Sequence, residues 1–223
     1  MNTDDLIDEL GRQATPASPL PAPSWRTAVW MLWSVVYMVV VAIVMLAGTS
    51  AAGITITPLY LLQQGAAVMT AITAARAALG SVIPGTAAGL WTRPAVSAGV
   101  WVALMLWNAR LDARAAGTLG IASHTDWPCV ASMMVGGIVL GGPLVWMLRR
   151  GAPLTPRPTA FLAGLAAVSM ANIEACLLRP HAFASTVLLW HGVTAVVIAC
   201  VFAALGRRWL RWPAADRSYL TAR

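Results

Sequence analysis

The 223-residue chain has no lysine, and all 15 of its positive charges are arginines. Charged residues of either sign make up only 10% of it, against 59% hydrophobic residues, whereas a soluble domain carries about 25% charged residues. A chain so poor in charge cannot cover itself with water-facing side chains, so composition excludes an ordinary soluble domain and points to a membrane. Acids are scarcer still: there are 8, and half of them (Asp4, Asp5, Asp8 and Glu9) fall within the first nine residues. The catalytic repertoire is equally thin, with no Gly-rich phosphate loop, serine-type triad, close carboxylate pair or C-x-x-C motif. These absences argue against an enzyme. The formal charge of +7 does not imply direct nucleic-acid binding either, because the arginines punctuate apolar runs instead of forming a soluble basic face.

What is present is a series of apolar runs, each set against the roughly 20 residues that cross a bilayer. The spans read as Ala28–Leu46, Pro58–Leu79, Pro94–Ala109, Trp127–Leu148, Thr159–Leu178 and Ala184–Leu205. Trp25, Trp30 and Trp33 read as interface anchors of the first, and Arg76 lies near enough to a span end to snorkel. The expected fold is therefore an all-α polytopic membrane protein with six transmembrane helices. No internal repeat suggests a two-halved transporter, and no segment reads as a cleavable signal peptide.

Six spans put both termini on one side, and arginine decides which. With the N-terminus inside, twelve arginines fall on the cytoplasmic side, against Arg110, Arg114 and Arg179 outside, a positive-inside bias. The expected organisation is a cytoplasmic head over 1–13, a Pro-rich tether over 14–26, a transmembrane domain over 27–206 and a basic cytoplasmic tail over 207–223, in a bacterial inner membrane. Four prolines in "QATPASPLPAPS" favour an extended tether reaching roughly 35 Å.

Three cysteines occur. Cys200, inside the sixth span, reads as a small apolar filler. Cys129 and Cys176, counted from the shared loop "RRGAPLTPRP", lie at about 28 and 26 Å, the outer edge of the hydrocarbon. An oxidising periplasm would permit a reversible disulfide there. A metal site is the competing use, because His124, His181 and His191 fall at the same face with Glu174 nearby, and thiolate with imidazole suits zinc or another soft ion. Gln63, Gln64, Asn108 and Asn172 read as polar bridges between helices. The pairs Gly136/Gly137 and Gly141/Gly142 read as points of close packing or bending.

The acidic head has a pattern of its own. In "TDDLIDELG", Leu6, Ile7 and Leu10 share one helical face, with Asp5, Asp8 and Glu9 largely off it. Thr3 or Asp4 is placed to cap the helix and Gly11 to stop it. Two turns are unstable alone in water but gain helicity by laying an apolar stripe into a partner's groove. The charge favours a basic partner.

The order "TDDLIDEL", "WPC", "RRGAP", a cysteine before "LLWHG" and "RRWLRW" resembles the NrsF family of bacterial membrane-bound anti-sigma factors, over essentially the whole chain. The resemblance implies a non-enzymatic regulator that holds an extracytoplasmic-function (ECF) sigma factor at the inner membrane, among its lipids, through residues Asp4, Asp5, Leu6, Ile7, Asp8, Glu9 and Leu10. It further implies that metal or oxidant stress is sensed by two periplasm-facing cysteines, matching Cys129 and Cys176. No cofactor is required, although zinc or another soft metal remains open at Cys129, Cys176, His124, His181 and His191. The soluble zinc-binding motif H-x-x-x-C-x-x-C is absent. Two alternatives stand beside this reading: a small membrane transporter, and a quinone-linked thiol oxidoreductase.

Overall fold

A computed structural model describes residues 2–13, 19–48, 57–83, 85, 88–117, 127–151, 153–178 and 183–210. The described residues are helical and contain no strand. The helices are α1 (Thr3–Gln13), α2 (Pro23–Gly48), α3 (Pro58–Gly80), α4 (Thr92–Ala116), α5 (Trp127–Arg149), α6 (Pro156–Leu178) and α7 (Ala184–Trp209), with a short 3-10 turn over Ala88–Trp91 before α4. The all-α expectation holds.

Proline sets several starts. Pro23, Pro58 and Pro156 each open a helix, where a missing N–H costs nothing and a fixed φ helps. Helix α2 thus begins inside the stretch read as tether, and the Thr57 hydroxyl caps α3 by accepting from the Tyr60 amide at 3.1 Å.

Among the described residues, four helices are long and apolar enough to cross a membrane: Pro23–Val44, Trp127–Arg149, Pro156–Leu177 and Ala184–Trp209. Of the other two long helices, α3 carries Gln63, Gln64 and Arg76, while α4 carries Arg93, Asn108, Arg110, Asp112 and Arg114. Both nevertheless pack in the same bundle as the four.

Helix α6 is the centre. Its span is 78% buried, against 17% for α2 and 22% for α7, because it packs against α3, α5 and α7 at once. Its sequence permits this: Ala160, Ala163, Ala166, Ala167, Ala171 and Ala175 are all fully buried, and small residues let backbones approach closely. The neighbours contribute glycines at the closest points. A Cβ on Gly136 of α5 would lie 2.8 Å from the Ala171 Cβ, and one on Gly141 would lie 2.4 Å from the Phe202 ring. Gly142, by contrast, faces open space, so only one glycine of the second pair serves packing.

The tryptophans of α2 differ from expectation in an instructive way. Trp30 is fully buried and donates through Nε1 to the Leu140 carbonyl at 2.9 Å, while Trp33 donates to the Val139 carbonyl at 3.4 Å. For Trp33 the cause lies in α5, which has Pro143 in its interior. Proline has no N–H, so the carbonyl four residues earlier, Val139, loses its helical partner. Arg26 donates to the Met147 carbonyl near the end of the same helix. Helix α2 thereby donates to a row of carbonyls on α5; Trp25 and Trp33, 65% and 47% exposed, stay available as interface residues, and Trp30 alone of the three is withdrawn into the core.

Candidate functional site

Two regions concentrate the chemistry. The first is α1. Asn2 caps it, its Oδ1 accepting from the Thr3 amide at 2.8 Å, and Asp5 reaches back to accept from the Asn2 amide at 3.2 Å. The Asp5–Asn2 bond is the returning half of a capping box, and the Leu6 amide donates to the Asn2 carbonyl at 3.1 Å, so the cap lies one residue ahead of the Thr3 or Asp4 expected. Asp4 and Asp5 fill the first turn and Arg12 the last, which suits the helix dipole. Helicity continues through Gly11, aided by Arg12, which pairs with Glu9 at 3.5 Å. Leu6, Ile7 and Leu10 remain 41%, 60% and 58% exposed, and α1 packs against no other helix among the described residues. Asp4, Asp5, Asp8 and Glu9 are exposed as well. The segment is a self-capped amphipathic helix with an uncovered apolar stripe.

The second region is a buried polar cluster at the end of the bundle where α6 finishes and α7 starts. Asn172 and Cys176 lie four apart on α6 and so share a face. His191 of α7 meets both, its Nδ1 2.8 Å from the Asn172 Oδ1 and 3.9 Å from the Cys176 Sγ. All three are at least nine-tenths buried. Asn172 thus bridges helices as its sequence position suggested, and Gln63 does the same by donating to the Leu104 carbonyl of α4 at 3.4 Å. Asp112 of α4, which sequence reasoning passed over, accepts from the Ala184 amide at 2.9 Å. It caps α7 and fixes the helix that carries His191. A carboxylate at a helix N-terminus is favoured by the orphan amides there. Its only sequence signal was being an acid in an acid-poor chain.

Cys129 is also buried, in the first turn of α5. The approach of Gly136 to Ala171 and of Gly141 to Ala167 sets the α5–α6 register. It brings Cys129 level with the C-terminal end of α6, so the two cysteines differ by roughly 4 Å along the axis, within one turn. Cys200 of α7 is exposed, so it fills no space inside the bundle.

Glu174 is buried on α6. It lies against Gly136 of α5 and beside Tyr37 of α2. It faces α5 and α2, whereas Cys176 meets α7. Among the described residues no three His, Cys, Asp or Glu side chains form a set that could hold a metal; His124 and His181 lie outside those residues. What the structure brings together is therefore the thiol–imidazole–amide group of Cys176, His191 and Asn172.

Comparison with known proteins supplies the remaining finding. No curated protein and no solved structure matches the chain. The family described as NrsF, negative regulator of sigma F, matches residues 10–212, which takes in every helix from α2 to α7 and the last turn of α1. With a match over most of its length, this chain belongs to the NrsF family of negative regulators of a sigma factor.

Proposed function

We propose that the chain is an anti-sigma factor that crosses the bacterial inner membrane six times and holds an ECF sigma factor on the cytoplasmic side through α1. The observation that carries this reading is the uncovered stripe of Leu6, Ile7 and Leu10 on a helix that packs against no other helix among the described residues. Family membership makes the partner a sigma factor, and the arginine asymmetry supports a cytoplasmic position for the stripe. Burying the stripe in the sigma factor, with Asp4, Asp5, Asp8 and Glu9 facing basic residues around the groove, would keep it from RNA polymerase. Residues 1–13 then act as the capture segment, 14–26 as its tether and first helical turn, and 207–223 as a basic tail beside the lipid headgroups.

Release belongs to Cys129 and Cys176 in this reading. A soft metal binding at the thiols, or an oxidant taking two electrons and two protons from them to leave a disulfide, would alter how α5 and α6 meet. Because α6 is the hub of the bundle, a change at its end bears on every helix packed against it. A tenfold weaker hold on the sigma factor needs only about 1.4 kcal/mol of coupling.

A reporter driven by the sigma factor tests both halves. Deleting the chain is expected to raise output without stress, and an unchanged output would remove the negative-regulator role. With Cys129→Ser and Cys176→Ser together, repression is expected to persist while induction by metal or oxidant is lost. Undiminished induction would remove the sensing role and leave capture standing.

A further inference from the structure

We propose that the groove between α3 and α4 seats one anionic phospholipid, its acyl chain lying along the two helices and its phosphate held by Arg76 and Arg93. The inference rests on the six-span reading, which puts α3 and α4 in the bilayer and the arginine end of their seam at the cytoplasmic leaflet. The groove measures about 660 Å³ and is walled by Leu62, Met69 and Thr73 of α3 and by Ser97, Val100 and Leu104 of α4. Its walls meet where the Thr73 and Ser97 hydroxyl oxygens lie 3.0 Å apart. Among the described residues nothing covers it: Leu62, Met69 and Val100 are 60%, 52% and 49% exposed.

The charged end of the groove decides its occupant. Gln63 meets Leu104 and Thr73 meets Ser97, so α3 and α4 run antiparallel. Arg76 follows Thr73 by three residues and Arg93 precedes Ser97 by four, so each arginine shares a helix face with its member of that contact. Both therefore lie one turn from the contact in the same direction, and both are exposed. Neither forms a salt bridge among the described residues, and the sequence holds no acid between Glu9 and Asp112. A phosphodiester supplies the anion the chain does not, because its oxygens accept from a guanidinium in bidentate fashion. Basic pockets between transmembrane helices on the cytoplasmic side bind anionic headgroups in this way. The α3 wall rises about 18 Å from Leu61 to Thr73, against roughly 15 Å for one leaflet, half the hydrocarbon core. An acyl chain joined to a phosphate matches the groove in both length and charge, whereas a soluble anion would leave the apolar walls unused. Gly65 keeps the α3 wall low, since a Cβ there would meet no atom within 4 Å.

The test titrates the full chain in detergent micelles with dioleoylphosphatidylglycerol and, separately, with dioleoylphosphatidylcholine, and counts bound lipid by native mass spectrometry. The wild type is expected to bind one phosphatidylglycerol about thirtyfold more tightly than phosphatidylcholine, the effect of two arginines on an anionic lipid. Arg76→Gln with Arg93→Gln is expected to abolish that preference. Arg207→Gln with Arg208→Gln, which removes the same charge from the end of α7, is expected to keep it. Gly65→Leu leaves the arginines in place but fills the groove, and is expected to lose the tight site. An unchanged preference in the Arg76 and Arg93 variant, or an equal loss in the Arg207 and Arg208 variant, would overturn the proposal. Tight binding retained by Gly65→Leu would mean headgroup attraction without a groove and would overturn it as well. Should the Arg76 and Arg93 variant fail to fold, Gly65→Leu decides alone. The underlying topology is read separately in Ala116→Cys, at the far end of α4, where a membrane-impermeant maleimide added to spheroplasts is expected to label residue 116. No labelling would remove the six-span reading and the lipid site with it. Labelling without a preference for phosphatidylglycerol would remove the lipid site alone.

Discussion

A chain carrying Leu6→Ala, Ile7→Ala and Leu10→Ala is expected to lose its hold on the sigma factor by about a hundredfold or more. Each aliphatic side chain contributes about 1.5–3 kcal/mol when fully buried. Realising half of that over three residues gives roughly 3 kcal/mol, and every 1.4 kcal/mol is tenfold in affinity. The same change is expected to leave the bundle intact, because α1 packs against no other helix among the described residues. Surface-plasmon titration of the nanodisc-embedded chain with the sigma factor measures the first effect, and the thermal midpoint measures the second. In cells the triple variant is expected to behave like a deletion, with the regulon on in the absence of stress. A variant that binds as tightly as the wild type would place the capture surface elsewhere, with the loop "RRGAP" the next segment to examine.

The bundle itself is most vulnerable where α6 and α7 touch. A Cβ on Gly206 would sit 2.6 Å from the Pro156 carbonyl oxygen and 2.8 Å from the Ala160 Cβ. A Cβ on Gly164 would sit 2.8 Å from the Phe202 Cβ and 3.0 Å from the Ala199 Cα. Most of these obstacles are backbone atoms or atoms bonded to it, so the helices must separate for the methyl groups to fit. Overpacking of this kind costs typically 1–3 kcal/mol per site, which outweighs the gain of up to about 1 kcal/mol from replacing a helical glycine by alanine. The double change Gly164→Ala and Gly206→Ala is expected to destabilise the protein by about 3 kcal/mol. Gly192→Ala, on the same helix as Gly206, meets no atom within 4 Å and is expected to be neutral or slightly stabilising. Unfolding in detergent compares the three. A double variant as stable as Gly192→Ala would show that the α6–α7 contact is looser than the geometry indicates.

Much of this architecture was legible in the sequence because hydrophobic length is a strong signal. All six apolar runs correspond to long helices, including Pro94–Ala109, whose helix extends to Ala116. The run understated α4 because its last two turns carry Arg110, Asp112 and Arg114, and a helix does not stop where its apolar stretch does. The amphipathic stripe of α1 was equally plain from spacing. What could not be read was which helix sits at the centre. Helices α2 and α7 are more hydrophobic than α6, yet α6 is the hub, because alanine is valued for its smallness at a helix–helix contact and counts for little on a hydropathy scale.

The polar partnerships were partly hidden for a different reason. Asn172 and Cys176 announce a shared face by their spacing, but the position of His191 against them depends on the crossing of α6 and α7. The partner of Trp33 depended on Pro143, more than a hundred residues away in the chain. A tryptophan near a span end reads as an interface anchor until the acceptor it serves is known.

The most direct test of the account is a photocrosslink in living cells. A photoreactive amino acid placed at Ile7 of the full chain is expected to give an adduct with the sigma factor in unstressed cells. The same group at Trp127, 70% exposed at the start of α5 and on the periplasmic side in this reading, is expected to give none. No adduct from Ile7, or a sigma-factor adduct from Trp127, would contradict capture by α1 on the cytoplasmic face.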